Sequence, residues 1–379
     1  MRVLYVSHFG GLGGAERSLL ELMDAVRTLG VDPVLLCPSG PLSEAAATAG
    51  IPVANWGARP VTRSRGLNSW KFVLPRLPLG WRELDRTMRR FQPHLLHANS
   101  AQAMLWIGPV ASWRGCPLVW HWRDFYGGRG VAKSMAGRAD AIIAISEATL
   151  TFAEKLLGSS SRHLTLVRNG VADLPPRNAD RVAAVRRALD IPPTGRLVMM
   201  AGQSIPRKGH AVLLEAFAIL TRTHPDLYAW LLCSEHDQKA ATYTRQLRRL
   251  AVDLGCGPRV RVTEGVEQIA PVLYAADVVA VPSLREPFGR IAVEAMLAKR
   301  PVIASSVDGL KEIVREDETG LLVPPGDPAC LAAGLARILD DPALWASRAD
   351  AARREAVHLF SISRVAAELV PVYGAICHN

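Results

Sequence analysis

Val3-Leu4-Tyr5-Val6-Ser7-His8-Phe9-Gly10-Gly11-Leu12-Gly13-Gly14-Ala15-Glu16-Arg17 starts as a short apolar run, passes four glycines and enters a longer segment. A strand, a glycine turn and a helix follow one another here, which is how a βαβ unit begins. Glycines let the backbone approach a ligand closely. The helix start behind them offers unpaired N–H groups and a partial positive charge suited to phosphate, so Gly13 and Gly14 are candidate ligand contacts. A tight turn needing positive φ would use the same residues. No Gly-Lys-Ser/Thr follows, so this is not a Walker loop.

Outward from this stretch the same alternation continues. Strand candidates are Val3–Ser7, Asp32–Cys37, Leu95–Ala98, Leu118–Trp122, Ala141–Ile145 and Leu164–Arg168, with helical segments between them. Pro175, Pro176 and polar neighbours break the pattern. Strands resume at Leu197–Ala201, Tyr228–Cys233, Arg259–Thr263, Val278–Val281 and Pro301–Ala304. The expected fold is α/β, with two Rossmann-like parallel-sheet domains facing each other across a cleft. Residues 1–174 form the first, 175–194 a linker region, 195–359 the second, and 360–379 a terminal helix.

The 379 residues are 49% hydrophobic and 21% charged, which excludes a disordered chain. Net charge is +10, and it is one-sided: residues 1–190 carry 24 basic and 14 acidic groups, the remainder 21 of each. One basic half suggests an anionic partner. No apolar run approaches the ~20 residues that span a bilayer, and the N-terminus lacks a signal-peptide pattern. Six cysteines show neither C-x-x-C pairs nor zinc spacing, in keeping with free thiols in a reducing cytoplasm.

The strongest chemical signal is Arg285-Glu286-Pro287-Phe288-Gly289-Arg290-Ile291-Ala292-Val293-Glu294. It places one carboxylate at a helix mouth, a turn shaped by proline and glycine, and a second carboxylate about two turns into the helix. Such a pair can accept hydroxyl hydrogen bonds from a sugar and a ribose, while the helix start holds a diphosphate. A second loop, Gly202-Gln203-Ser204-Ile205-Pro206-Arg207-Lys208-Gly209, displays two cations at the end of a strand, suited to a departing diphosphate.

Together these elements resemble the retaining nucleotide-sugar glycosyltransferases of family 4, which have the GT-B architecture. The likeness covers nearly the whole chain, including Ser146-Glu147, Arg168-Asn169-Gly170-Val171 and Thr319-Gly320-Leu321-Leu322-Val323-Pro324. It implies that Glu286 contacts donor-sugar hydroxyls and Glu294 the ribose, that the backbone of Phe288, Gly289, Arg290 and Ile291 faces sugar and diphosphate, and that Lys208 stabilises the leaving phosphate. Gly202 and Gln203 fall on the donor side as well. It further implies a donor-binding second domain, an acceptor-binding first domain, and a terminal helix crossing back to the first.

Two departures matter. Gln203 stands where many members have an arginine, a charge that Arg207 would replace. In Val119-Trp120-His121-Trp122-Arg123-Asp124, Arg123 takes the usual histidine place, with His121 two residues earlier on the same face. His121 is then either a catalytic cleft residue or a packed histidine between tryptophans. Arg123, Asp124 and Asn99 are candidate acceptor-side residues.

No two aspartates stand two apart anywhere in the chain, so no Asp-x-Asp metal site is expected, and no cofactor beyond the nucleotide sugar. The donor expectation leans to a UDP-sugar carrying a hexose or N-acetylhexosamine. Nine basic residues between Arg59 and Arg90 interleave with Trp56, Trp70, Phe72 and Trp81. They suit an anionic membrane surface, hence a lipid-linked glycan acceptor and a cytoplasmic enzyme peripheral to the membrane, unless the region is simply solvated. A glycosyltransferase tailoring a soluble natural product such as an antibiotic, with a small-molecule acceptor, and a non-catalytic sugar-nucleotide-binding protein are the competing readings. Nothing resembles a nucleic-acid-binding motif.

Overall fold

The computed structural model describes residues 1–57, 77–125, 128–158, 163–235, 237–266 and 268–377. The chain divides into two compact units, Met1–Ala172 with Ser361–Asn379, and Asp173–Phe360.

The first unit is built on β1 (Arg2–Val6), β2 (Asp32–Cys37), β3 (Val53–Asn55), β4 (Leu95–Ala98), β5 (Leu118–Trp122), β6 (Ala141–Ala144) and β7 (Leu164–Leu166). They form one parallel sheet in the order β3-β2-β1-β4-β5-β6-β7. Helices cover both faces, so the central strands are apolar on each side and almost wholly buried. Alternate residues of β5 feed two different cores: Leu118, Trp120 and Trp122 pack on one face, Val119 on the other. The period-2 geometry of a strand thereby sorts His121 onto the face opposite the tryptophans. That face carries helix Gly14–Arg27, against which the C-terminal helix Ile362–Cys377 packs.

The second unit holds β8 (Arg196–Gln203), β9 (Leu227–Ser234), β10 (Val260–Glu264), β11 (Val278–Val281), β12 (Val302–Ser305) and β13 (Leu321–Val323), all parallel, ordered β10-β9-β8-β11-β12-β13. In that order β8 and β11 are the neighbours at which the direction of winding reverses, so their carboxyl ends open a ligand crevice.

The proline-containing stretch read as a linker holds a helix, Ala179–Ala188. Asn178 caps it by accepting the N–H of Arg181, and it packs against helix Ile269–Ala275. Prolines at 175 and 176 end the preceding segment, and Asn178 then starts a new helix, which the break in strand alternation concealed. No described helix is long and apolar enough to cross a membrane.

Candidate functional site

In the second unit the loops after β8 and β11 are joined by a backbone bond, Leu284 N–H to the Arg207 carbonyl at 2.8 Å. Pro206–Lys208 makes one turn of 3-10 helix, ended by Gly209 at φ +78°. A Cβ at Gly209 would overlap the carbonyl oxygen of Pro282, so glycine is required for the two loops to meet. The result is Lys208 Nζ donating to Glu286 Oε2 at 2.7 Å, with Ser283 Oγ donating to the same oxygen at 2.9 Å.

Glu286 is 6% exposed, and the Lys208 side chain 18%. A carboxylate this buried persists because its charge is matched, and the pair keeps capacity for a ligand. Glu286 Oε1 accepts no hydrogen bond among the described residues, and an ammonium has three donors. Asp308, at φ +38°, accepts from the Glu286 amide at 3.0 Å and from Arg285 Nε at 2.8 Å, which clamps the loop from below. Gly289, at φ +113°, starts helix Arg290–Leu297, and a Cβ there would reach 2.5 Å from Leu310. Within this helix Arg290 Nε donates to Glu294 Oε1 at 2.7 Å, both largely buried. Phe288 is buried edge-on against Phe360 at 5.7 Å, which occupies its ring in the core. Ile291 is partly buried, Gly202 lies near the end of β8 with Lys208 Cδ 3.6 Å from its Cβ position, and Gln203 is exposed.

In the first unit, Gly13 caps helix Gly14–Arg27 in an extended conformation, and a Cβ on Gly14 would meet nothing within 4 Å. Beside this turn lies a polar cluster centred on the half-buried Arg123. Its Nε donates to Asn99 Oδ1 at 2.7 Å, Nη1 to Asn169 Oδ1 at 2.9 Å, and Nη2 approaches His121 Nδ1 at 3.2 Å.

Arginine only donates, so this last contact makes His121 Nδ1 an acceptor and puts the proton of His121 on Nε2. His97 Nε2, 3.0 Å from the same atom, is then the donor of its pair; His97 Nδ1 accepts from Tyr373 Oη at 2.7 Å, and Tyr373 accepts from Tyr5 at 3.2 Å. The chain of bonds has one direction throughout. It ends at His121 Nε2, which has no partner among the described residues. Burial, with the charge of Arg123 added, holds both histidines well below the usual imidazole range. His121 is therefore a buried, neutral hydrogen-bond donor, 2% exposed. His97 and Tyr373 escaped sequence reading because they meet only through the C-terminal helix.

Glu16, 7% exposed, is pushed up to about 7 by burial, against its backbone N–H contacts and the charge of Arg123. His210 in the second unit is lowered to about 4, also mainly by burial. These shifts set a pH dependence. Histidines with depressed folded values bind protons only when unfolded, so stability falls as pH drops below ~6.5; Glu16 acts in the opposite sense between ~4.5 and 7. In the first unit His97, His121 and His8, the last lowered to about 4 by burial, outweigh one glutamate; in the second, Glu355, raised by burial, opposes His210, while Asp226, held low by Arg196, acts with it. The melting temperature should rise from pH 4.5 to 6.5, and more steeply in Glu16→Gln; a scan that is flat across that range in both proteins contradicts the assignment.

Asp124 follows β5, its Oδ1 accepting the Phe125 N–H at 2.8 Å and its carbonyl accepting Trp122 Nε1 at 2.7 Å. Of the basic, aromatic stretch, residues 58–76 lie outside the described residues, with Arg59, Arg63, Arg65, Lys71, Arg76, Trp70 and Phe72 among them. Arg82, Arg86, Arg89 and Arg90 fall on helix Leu77–Phe91. Trp56 is buried, and Trp81 packs on the core with its Nε1 donating to the Trp106 carbonyl at 2.9 Å. These two tryptophans are core residues and do not form an interfacial belt.

All six cysteines are free, and among the described residues no three His, Cys, Asp or Glu side chains gather as a metal site would require.

Residues 12–173 match the model of Glycosyltransferase Family 4, and residues 182–355 that of Glycosyl transferases group 1. Relatives called D-inositol 3-phosphate glycosyltransferase include one from Salinispora tropica, 37% identical over 207 residues, which are 52% of this chain and 43% of that protein. Another, from Corynebacterium urealyticum, is 30% identical over 249 residues, 64% of this chain and 58% of the relative. The chain spans about half the length of the curated relatives it matches. Among solved structures, Anabaena Alr3699/HepE in complex with UDP-glucose superposes with a TM-score of 0.86 at 23% identity, over 99% of this chain and 100% of the other. A glycosyltransferase from Rickettsia africae gives 0.83 at 19% identity, covering 100% and 99%. Those likenesses show the GT-B fold, and with the two family models matched in succession along the sequence, the chain belongs to the family 4, group 1 glycosyltransferases.

Proposed function

We propose that this protein transfers a glycosyl group from a nucleoside-diphosphate sugar to an acceptor hydroxyl, with retention and without a metal. The observation that carries the reading is the buried Lys208–Glu286 pair, held at the β8/β11 switch point by two tied loops. Glycosyl transfer passes through an oxocarbenium-like state while the diphosphate gathers negative charge. Lys208, with Arg207 beside it, would meet that charge where other enzymes place a metal ion, assisted by the amides that open helix Arg290–Leu297. Glu286 Oε1 would take a hydroxyl of the sugar, and Glu294 the ribose. The acceptor hydroxyl attacks on the leaving-group face and passes its proton to a diphosphate oxygen. His121 Nε2–H would act as a hydrogen-bond donor toward the substrate.

UDP is the favoured nucleotide, supported by the UDP-glucose bound to the structurally similar Anabaena protein. For the acceptor, the names of the relatives favour a small polyol phosphate over a lipid-linked glycan. The burial of Trp56 and the packing of the half-buried Trp81 on the core remove part of the support for a membrane-facing belt. Work at the cytoplasmic face of a membrane rests on the remaining basic charge alone.

A thermal-shift panel of UDP-, GDP- and ADP-sugars tests the donor. A donor at ~100 times its Kd stabilises the native state by about 2.7 kcal/mol, so the correct one should stand well apart. Turnover should persist in EDTA; if EDTA abolishes it and added Mg²⁺ restores it, the metal-free mechanism is wrong.

A further inference from the structure

Loop 306–309, between β12 and helix Leu310–Ile313, meets the Glu286 loop backbone to backbone. A Cβ on Gly309 would lie 2.7 Å from Phe288 Cα and from the Pro287 carbonyl oxygen, so only glycine allows this approach. From there the Gly309 N–H donates to the Glu286 carbonyl at 3.0 Å, and the Asp308 carboxylate accepts the Glu286 N–H at 3.0 Å. Both polar groups of the Glu286 main chain are thereby tied to two adjacent residues, which fixes the backbone from which its carboxylate projects. Asp308 also holds Arg285 Nε at 2.8 Å, but that arginine is half exposed, and such a pair stabilises little.

Asp308 makes these bonds at φ +38°, in the left-handed region where an L side chain is strained. Other described residues share a positive φ for ordinary reasons. Gln92, Asp190 and Lys299 stand just past helix ends, where a left-handed residue closes the last turn. Asp308 instead precedes a helix, in a turn closed by the Leu310 N–H donating to the Val307 carbonyl at 3.0 Å. Glycine would make that turn without strain, but it could not accept the Glu286 N–H. Strain of this kind persists where the surroundings require the residue, and it gathers at functional sites.

We propose that Asp308 is a positioning residue for the donor sugar, kept in a strained backbone because its carboxylate aims Glu286. Residues 308 and 309 hold the Glu286 main chain while Lys208 and Ser283 hold Oε2, so Oε1 is left in one place. Asp308 acts only through Glu286. Misplacing a substrate-holding group by about 1 Å can cost about 10²-fold in rate. Loss of the clamp should therefore lower turnover without weakening the nucleotide, which the proposed function gives to Glu294 and the start of helix Arg290–Leu297. The inference rests on the reading of Glu286 as the acceptor of a donor-sugar hydroxyl.

Asp308→Gly relieves the backbone and removes the acceptor, whereas Asp308→Asn keeps a side-chain oxygen for the Glu286 N–H in a residue that tolerates left-handed φ. The full-length protein and both variants would be assayed for release of nucleoside diphosphate from UDP-glucose, GDP-glucose and ADP-glucose without acceptor. UDP affinity and melting temperature would be measured beside it. For Asp308→Gly the expected result is turnover lower by about tenfold or more, with UDP affinity within about twofold of wild type and no earlier melting. Asp308→Asn should recover most of the turnover. A smaller fall in Asp308→Gly overturns the proposal. So does a loss of UDP affinity or melting temperature that keeps pace with turnover, which marks a merely structural residue. A fall in Asp308→Asn as large as in Asp308→Gly also overturns it, because the bond to Glu286 is then not what counts. Asp308→Ala, which likewise lacks the acceptor, stands in if Asp308→Gly fails to fold. Wild-type protein inactive with all three donors would instead remove the transferase reading, and this inference with it.

Discussion

Replacing Lys208 by alanine should lower turnover by about 10²–10³-fold, the scale on which a charge-stabilising donor contributes to a transition state. The same change leaves the Glu286 carboxylate buried with only the Ser283 hydroxyl for company. Breaking a buried pair from one side costs about 3–5 kcal/mol, so the second unit should also melt earlier. Glu286→Ala strands the cation in the same way. The double variant separates the two effects: its stability loss should be smaller than the sum of the single losses, with a coupling of ~1–3 kcal/mol, while activity stays low. Wild-type rates in both single variants would remove the pair from the mechanism.

The second large effect is structural. Gly209→Ala puts a methyl group into the Pro282 carbonyl at a residue with φ +78°, and the obstacle is backbone that cannot swing aside. A cost of about 3 kcal/mol or more is expected, from left-handed strain and overpacking combined. For a unit of this size that is roughly a 6–12 °C drop in Tm. Activity should fall with it, because the same contact holds Lys208 against Glu286. Gly14→Ala is the control: the added Cβ meets nothing, so the fold should be kept, and any loss of turnover reports a ligand approaching that turn. Equal melting temperatures for Gly209→Ala and wild type would show that the loops do not depend on this approach.

Much of the fold was legible because parallel strands buried on both faces read as unbroken apolar runs, as in Leu4–Val6 and Val278–Val281. Residues 175–194 were harder, since a capped helix behind two prolines looks like any polar interruption. At the site, Glu286, Glu294 and Lys208 stood out because their spacing from glycines and a helix start is local. Asp308 and Ser283 did not. Their part in holding Glu286 depends on a loop 22 residues away and on a side chain three residues back, and neither has a period to betray it.

His121 shows the division most plainly. Its sequence context left open a catalytic or a packed histidine, and only the three-dimensional neighbours choose its protonation. Arg123 can only donate, Tyr373 arrives from the other end of the chain, and the direction of every bond in the cluster follows. The one-sided charge underwent a similar revision, since of its four interleaved aromatics Trp56 is a core residue and the half-buried Trp81 packs against that core.

By itself, then, the sequence determined the architecture and pointed to the residues proposed for the donor side, because alternation, glycine turns and the Glu-x7-Glu spacing act over one or two turns of chain. The tertiary structure alone decided which charges are matched, which imidazole nitrogen holds a proton, and which buried N–H groups still lack an acceptor. Those are properties of side chains tens to hundreds of residues apart, set by burial and by donors that cannot accept, and no local pattern encodes them.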